Sequence, residues 1–269
     1  MRLAVIGAGR MGRAIVAGLL ARNLINPAAI TGVSKTQASK DSFLALDPSG
    51  VMQWTDSLPE ASAQADVLLL AVKPIQMNEV LPLLRLRNTT TLIISIAAGI
   101  RLQRFEELLG SEQHIARAMP NTPVTLGCGV TAYCPNARCT PEDRDFIKQL
   151  FQSVGACYEV EENQLDAVTA LSGSGPAFFY RIIQAFSQAA IQEGLSPEQA
   201  LRMAAQTAEG SAKMILEYDL SPDDLIKQVV SKGGTTEAGL NVLDASALSN
   251  IVAATIHAAA ERSRTLSKI

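Results

Sequence analysis

The first part of the chain alternates between two patterns. Short apolar runs rich in branched side chains occur at residues 3–6, 29–33, 67–72 and 92–96. Runs of that length and composition predict buried strands. Between them, Ile15, Leu19 and Leu20 recur at helical spacing, as do Val80, Leu83 and Leu84. Strand, helix and strand in succession imply right-handed crossovers and a parallel sheet. Residues 115–118, 130–134 and 154–160 read as further strands. Thr140-Pro141-Glu142-Asp143 announces a helix that holds residues 146–151. It offers a capping hydroxyl, a proline suited to the first turn, and acids favoured by the helix dipole.

After Glu161-Glu162-Asn163 the strand pattern stops. Phe178, Ile182, Phe186 and Ala189 form one helical stripe, with Arg181, Gln184, Gln188 and Gln192 opposite. Gly194 ends that helix. Ser196-Pro197-Glu198-Gln199 opens the next and Ser221-Pro222-Asp223-Asp224 another. The last helix, about 246–266, is apolar over much of its circumference. The expected organisation is an α/β domain over 1–161 and an all-helical domain over 162–269.

The turn after the first strand carries the clearest chemistry. Gly7-Ala8-Gly9-Arg10-Met11-Gly12 matches G-x-G-x-x-G, between a predicted strand and a predicted helix. Gly7 permits the tight turn, Gly9 lets a pyrophosphate approach the backbone, and Gly12 lets the helix lie close on the strand. The helix start then offers free N–H groups to phosphate. At the end of the second strand an acid would bind the ribose 2′-hydroxyl of NAD. Here the stretch is Gly32-Val33-Ser34-Lys35-Thr36. Ser34 and Lys35 suit a 2′-phosphate instead, so NADP(H) is favoured, with NAD(H) as a second cofactor.

Composition narrows the field. The chain has 269 residues, 48% of them apolar, and a formal net charge of −3. That supports a large core and argues against a general nucleic-acid binder. No apolar run reaches the length of a membrane span, and no secretory leader pattern is present, so a cytoplasmic location is expected. Four cysteines form no C-x-x-C pair, and the two histidines are far apart. A metal centre is therefore not expected, and a mechanism built on a histidine base is disfavoured.

Further candidates follow the predicted strands. Ala71-Val72-Lys73-Pro74 lies at a strand end, where Lys73 is placed toward a cofactor. Ser95–Gly99 ends another strand in small residues, with Ala97 among them. Asn121, in Met119-Pro120-Asn121-Thr122-Pro123, carries an amide suited to nicotinamide or substrate, or to an Asx turn. Ser172-Gly173-Ser174-Gly175-Pro176 and Gly233-Gly234-Thr235-Thr236 each open a helix. Such starts serve either as plain caps or as cradles for a carboxylate.

Taken together, GAGRMG at 7–12, AVKP at 71–74, SIAAG at 95–99, RAMPNTP at 117–123, SGSGPAF at 172–178, GSAKM at 210–214 and SKGGTTEAGLNVLD at 231–244 resemble pyrroline-5-carboxylate reductases. The segments stand in that family's order and cover nearly the whole chain. The resemblance implies reduction of 1-pyrroline-5-carboxylate to L-proline by NAD(P)H, the last step of proline biosynthesis. It implies that 1–161 is a Rossmann-type dinucleotide-binding domain and that 162–269 is a helical domain forming a homodimer through interleaved C-terminal helices, often assembled further. It places Ser174, Gly233, Gly234 and Thr235 at the substrate, and Thr236 beside it with its hydroxyl toward the imine nitrogen. One departure is Lys232, where the family usually has proline. Two other classes stay open on the residues. One is a related NADP-dependent imine reductase or a β-hydroxyacid dehydrogenase-like enzyme, for which Lys213 is the candidate lysine. The other is a non-catalytic nucleotide-binding regulator.

Overall fold

A computed structural model describes residues 1–266. Eight strands form one sheet in the order β3-β2-β1-β4-β5-β6-β7-β8. They are β1 (Leu3–Ile6), β2 (Ile30–Val33), β3 (Gln53–Thr55), β4 (Val67–Leu70), β5 (Leu92–Ser95), β6 (Ile115–Pro120), β7 (Gly129–Pro135) and β8 (Gly155–Glu159). Strands β1 to β6 are mutually parallel; β7 runs antiparallel to β6, and β8 is parallel to β7. The strand order reverses between β1 and β4. In an open parallel sheet that is where a crevice opens beyond the carboxyl ends of the strands.

Both faces of the sheet are covered. One face carries α1 (Arg10–Ala21), α2 (Gln37–Leu44) and α6 (Pro141–Gln152). There Leu3 and Val5 of β1 meet Ile15, Leu19, Phe43, Ile147 and Phe151. The other face carries α3 (Leu58–Gln64), α4 (Met77–Val80), α5 (Leu102–Leu109) and α7 (Leu165–Val168). Ala4 and Ile6 of β1 point to that side, among Ala61, Met77, Phe105 and Leu165. The two-residue period of the strand makes this division. Being buried on both faces, the strands read as continuous apolar runs rather than alternating ones. The caps expected from sequence are present. Thr140 and Asp143 form a reciprocal capping box at α6.

Several sequence expectations are corrected. The short strand β3 was not anticipated: its three residues include exposed Gln53, too brief a pattern to register. Strand β4 ends at Leu70, before Val72, and Pro74 opens a 3-10 turn instead of stopping the strand. Val80, Leu83 and Leu84 do not share one helix. After α4 the chain tightens into a 3-10 turn at Leu81–Leu83 and leaves in an extended conformation, because Pro82 lacks the N–H a continuing helix needs.

The remaining helices are α8 (Gly175–Gln192), α9 (Pro197–Glu217), α10 (Pro222–Val229), α11 (Thr235–Asp244) and α12 (Leu248–Leu266). By their contacts the described residues separate into two units. The first is Met1–Ser174 with 259–266, and the second is Gly175–Ala258. The strand pattern stops at residue 161, yet 162–174 belong to the first unit. Leu165 and Ala170 are buried, and Glu162 accepts a hydrogen bond from the Leu102 N–H at 2.7 Å while pairing with Arg117. The end of α12 joins that unit through Ser263, whose hydroxyl donates to Asp166 Oδ1 at 2.6 Å. In the second unit, Ser196 and Gln199 box the start of α9, and Gly194 takes φ +101° at the end of α8.

Candidate functional site

The glycine turn begins where β1 ends, at the reversal of strand order. Gly7 has φ +98°, and a Cβ there would stand 2.8 Å from the Ala71 carbonyl carbon. Ala71 follows β4 and donates its N–H to the Ile6 carbonyl at 2.8 Å, so AVKP lies against the turn. Gly12 is tight as well: a Cβ would meet the Gly7 carbonyl oxygen at 2.8 Å. Gly9 differs, since its Cβ position has nothing within 4 Å. Space above exposed backbone is what an approaching phosphate requires. Gly9 is the N-cap of α1 and supplies no side-chain cap, so the first N–H groups of that helix are left for an anion. Ala8 is buried, Met11 is half-buried and Arg10 is exposed at the helix start.

At the ends of β2 and β3 a cavity of about 340 Å³ is lined by Ser34, Lys35, Thr36, Gln37, Lys40, Trp54, Thr55 and Asp56. Ser34 and Lys35 are thus brought together as the sequence suggested. Lys40, Trp54 and Asp56 were passed over. The signals were faint: a lysine one turn beyond the Thr36 N-cap, and a tryptophan in a strand of three residues. A larger cavity, about 520 Å³, lies near the strand starts at Leu3, Thr31 and Gln53. That is the opposite end of the parallel sheet from the ligand crevice.

Lys73 is exposed; its N–H donates to Gln76 Oε1 at 3.2 Å as the chain enters the turn at Pro74. Ala97 is buried, and its N–H donates to the Ser95 hydroxyl. Asn121 is buried and both ends of its amide are engaged. Nδ2 donates to the Ser172 carbonyl at 3.1 Å, and Oδ1 accepts from the Val130 N–H at 2.9 Å. It braces the loop after β6 against β7 and the 169–173 turn, and it forms no Asx turn. Ser172 also departs from the expected capping role, because its hydroxyl donates back to the Val168 carbonyl. Ser174 closes a wide helical turn, its N–H donating to the Thr169 carbonyl at 2.8 Å.

In the second unit, Gly233 has φ +74° and Gly234 is the N-cap of α11. A Cβ on Gly234 would stand 2.3 Å from the Ser231 hydroxyl oxygen and 3.0 Å from the Ser231 carbonyl oxygen, so the turn is tight there and the hydroxyl would have to turn aside. Glu237 reaches back and accepts the Gly233 N–H at 2.7 Å. Thr235 and Thr236 therefore stand inside the helix start and are not caps. Thr236 is half-buried, while Thr235 and Lys232 are exposed. Among the described residues neither threonine hydroxyl has a hydrogen-bond partner. Lys213 sits on the surface of α9 with its ammonium 2.8 Å from Glu209, one turn away. That cation and its hydrogen bond hold the Glu209 carboxyl below its usual pKa.

Three of the four cysteines lie in the interior or half-buried. Burial pushes the thiol pKa of Cys134 up to about 11 and those of Cys139 and Cys157 to about 12. At those values the thiolate is scarce near neutrality. His114 precedes β6 at the far end of the sheet and pairs with Asp143 at 2.7 Å. No single described helix is long and apolar enough to cross a membrane, though α11 and α12, bent by 55°, pass that test as a pair.

Known proteins match both parts of the chain. Residues 2–99 match a family described as NADP oxidoreductase, coenzyme F420-dependent. Residues 162–266 match pyrroline-5-carboxylate reductase dimerisation. The pyrroline-5-carboxylate reductase of Aquifex aeolicus is 35% identical over 99% of this chain and 97% of its own. A solved pyrroline-5-carboxylate reductase from Coxiella burnetii superposes with a TM-score of 0.94 at 35% identity, covering 100% of this chain and 99% of its own. The Plasmodium falciparum pyrroline carboxylate reductase, crystallised with NADP bound, gives 0.85 at 30% identity, covering 99% and 98%. Likeness of that degree over both units makes this chain a member of the pyrroline-5-carboxylate reductase family.

Proposed function

We propose that the protein reduces 1-pyrroline-5-carboxylate to L-proline, the closing step of proline biosynthesis, with NADPH preferred and NADH as a second donor. The observation that supports this best is the full-length likeness, which spans the glycine turn and the 231–244 segment together. Bound at the glycine turn, the dinucleotide supplies the hydride. Everything else falls to the chain. The backbone at Gly9 and the start of α1 receive the pyrophosphate, and Ser34 and Lys35 receive the 2′-phosphate. Ala71 to Pro74 and Ala97 line the crevice at the ends of β4 and β5. Asn121 acts by bracing the loop after β6. Ser174, Gly233, Gly234 and Thr235 contribute to holding the substrate, with the free N–H groups at the start of α11 suited to its carboxylate. Thr236 orients the imine nitrogen, which carries the proton as hydride reaches the ring carbon. The reaction needs no histidine, because orientation and electrostatics are the protein's share of such chemistry.

Residues 1–161 serve in this reading as the NADP(H)-binding domain, and 162–269 as the substrate and dimerisation domain. The protein works in the cytoplasm as a homodimer through its C-terminal helices. Small-molecule substrate and cofactor are its ligands; nucleic acid and membrane are not. The test is NADPH oxidation with pyrroline-5-carboxylate and identification of the proline formed. A folded, nucleotide-binding preparation that makes no proline would overturn the proposal and favour a regulator.

A further inference from the structure

The cavity beyond β2 and β3 has an uneven charge. Lys35 enters from the loop after β2, Lys40 from α2, and Asp56 from the residue following β3. Lys40 stands one helical turn from Thr36, on the same face, and it is half-buried whereas Lys35 and Asp56 are exposed. Two polar groups at the start of this helix have partners. Gln37 Nε2 donates to Asp41 at 2.7 Å, and the Thr36 hydroxyl donates to Ser39 at 2.8 Å. Among the described residues neither lysine has an anion or a hydrogen-bond acceptor for its ammonium, and Asp56 has no cation. The Lys40 stem is part-covered by the cavity wall while its ammonium has no counter-charge, so a ligand anion entering the cavity would meet a cation that no other described residue has claimed. The cavity lies where a doubly wound sheet receives the adenosine ribose.

We infer that Lys40 is a specificity-determining residue for the cofactor: with Lys35 it holds the 2′-phosphate of NADPH, and Asp56 across the cavity opposes it. The inference rests on the reading of the chain as an NADP(H) enzyme and adds the residues that set its preference. Two ammonium groups attract the phosphate dianion. The Asp56 carboxylate repels it and accepts a hydrogen bond from the free 2′-hydroxyl of NADH. The acid missing from the end of β2 is thus supplied from β3, which keeps NADH usable.

The cavity holds its own reporter, since Trp54 lines it and is the single tryptophan of the chain. The full-length protein is titrated with 2′,5′-ADP and with 5′-AMP while Trp54 fluorescence is followed, with calorimetry as a second readout. Lys40→Gln should weaken 2′,5′-ADP by about tenfold, the scale of one charge-assisted contact, and leave 5′-AMP within about twofold. Asp56→Asn should do the reverse, tightening 2′,5′-ADP severalfold and weakening 5′-AMP. Circular dichroism of each variant checks that it is folded. Equal losses for both nucleotides, or discrimination by Lys35→Gln but not Lys40→Gln, would overturn the role of Lys40. If turnover with NADPH persists, only this inference falls. Absence of binding by 2′,5′-ADP and NADPH alike would overturn the cofactor reading with it.

Discussion

Between Met1 and Ser174 the chain buries its apolar side chains; between Gly175 and Ala258 it leaves them at the surface. In the first unit Leu3, Ile15, Phe43, Leu69, Phe105 and Phe151 are almost fully enclosed. In the second, Ala200 is the one fully buried apolar side chain among the described residues, while Phe179, Phe186, Leu216, Val229, Val242 and Ile251 are 60% to 81% exposed. Burial of apolar area is equally favourable in both. What differs is architecture. A sheet covered by helices on two faces closes over its own core, whereas the helices of the second unit leave much of their apolar surface uncovered. An exposed apolar surface of that extent marks a partner site. The family matched over 162–266 is one described by dimerisation. The comparison teaches that the first unit closes over its own core, and that the second leaves an apolar surface which the proposed dimer would cover.

The largest expected effect comes from breaking the second unit. If the proposed dimer forms through this surface, Phe186→Glu combined with Ile251→Glu should convert it to monomer in sedimentation and make its helical signal melt at lower temperature. Each such side chain contributes roughly 1.5–3 kcal/mol when covered, and a two-fold interface counts it twice. Nucleotide binding should survive. A dimer of unchanged stability would remove the contrast between the units.

Gly9→Ala sharpens the other side. Nothing stands within 4 Å of the added methyl, so the melting temperature should hold. The pyrophosphate would meet that methyl, and NADPH affinity should fall tenfold or more, about 1.4 kcal/mol at the least. Gly12→Ala is the control that costs stability as well, because its methyl meets the Gly7 carbonyl oxygen at 2.8 Å.

Thr236→Ala separates substrate handling from cofactor handling. It should lower kcat/KM about tenfold with NADPH affinity unchanged, and Thr236→Ser should recover much of the loss. Thr235→Ala should do less; the opposite ranking would move the assignment by one residue. The smallest effect belongs to Lys213→Ala. Its ammonium lies in an exposed pair with Glu209, a class of contact that contributes little, so turnover should be unchanged. A large loss would revive the β-hydroxyacid dehydrogenase reading.

Much of this was legible in residues alone, and the exceptions have causes. Strands buried on both faces read as apolar runs, and helix starts are written in local hydrogen-bonding groups such as Thr140 and Asp143. G-x-G-x-x-G was readable because each glycine answers a steric demand within a few residues of the next. Asn121 was not, because its role depends on the Ser172 carbonyl and the Val130 N–H, partners that only folding brings near. The threonines at 235 and 236 looked like caps until Gly234 took that position.

The sequence by itself determined the periodicities, the caps, the strand-turn-helix that receives a dinucleotide, and the family motifs, since these are local and need no knowledge of distant neighbours. The tertiary structure decided the order of the strands, where the first unit ends, and which charges share a cavity. Lys40 and Asp56 belong to different elements with no pattern linking them. They line the same cavity because β3 pairs with β2 in parallel, which carries both strand ends to the same edge of the sheet.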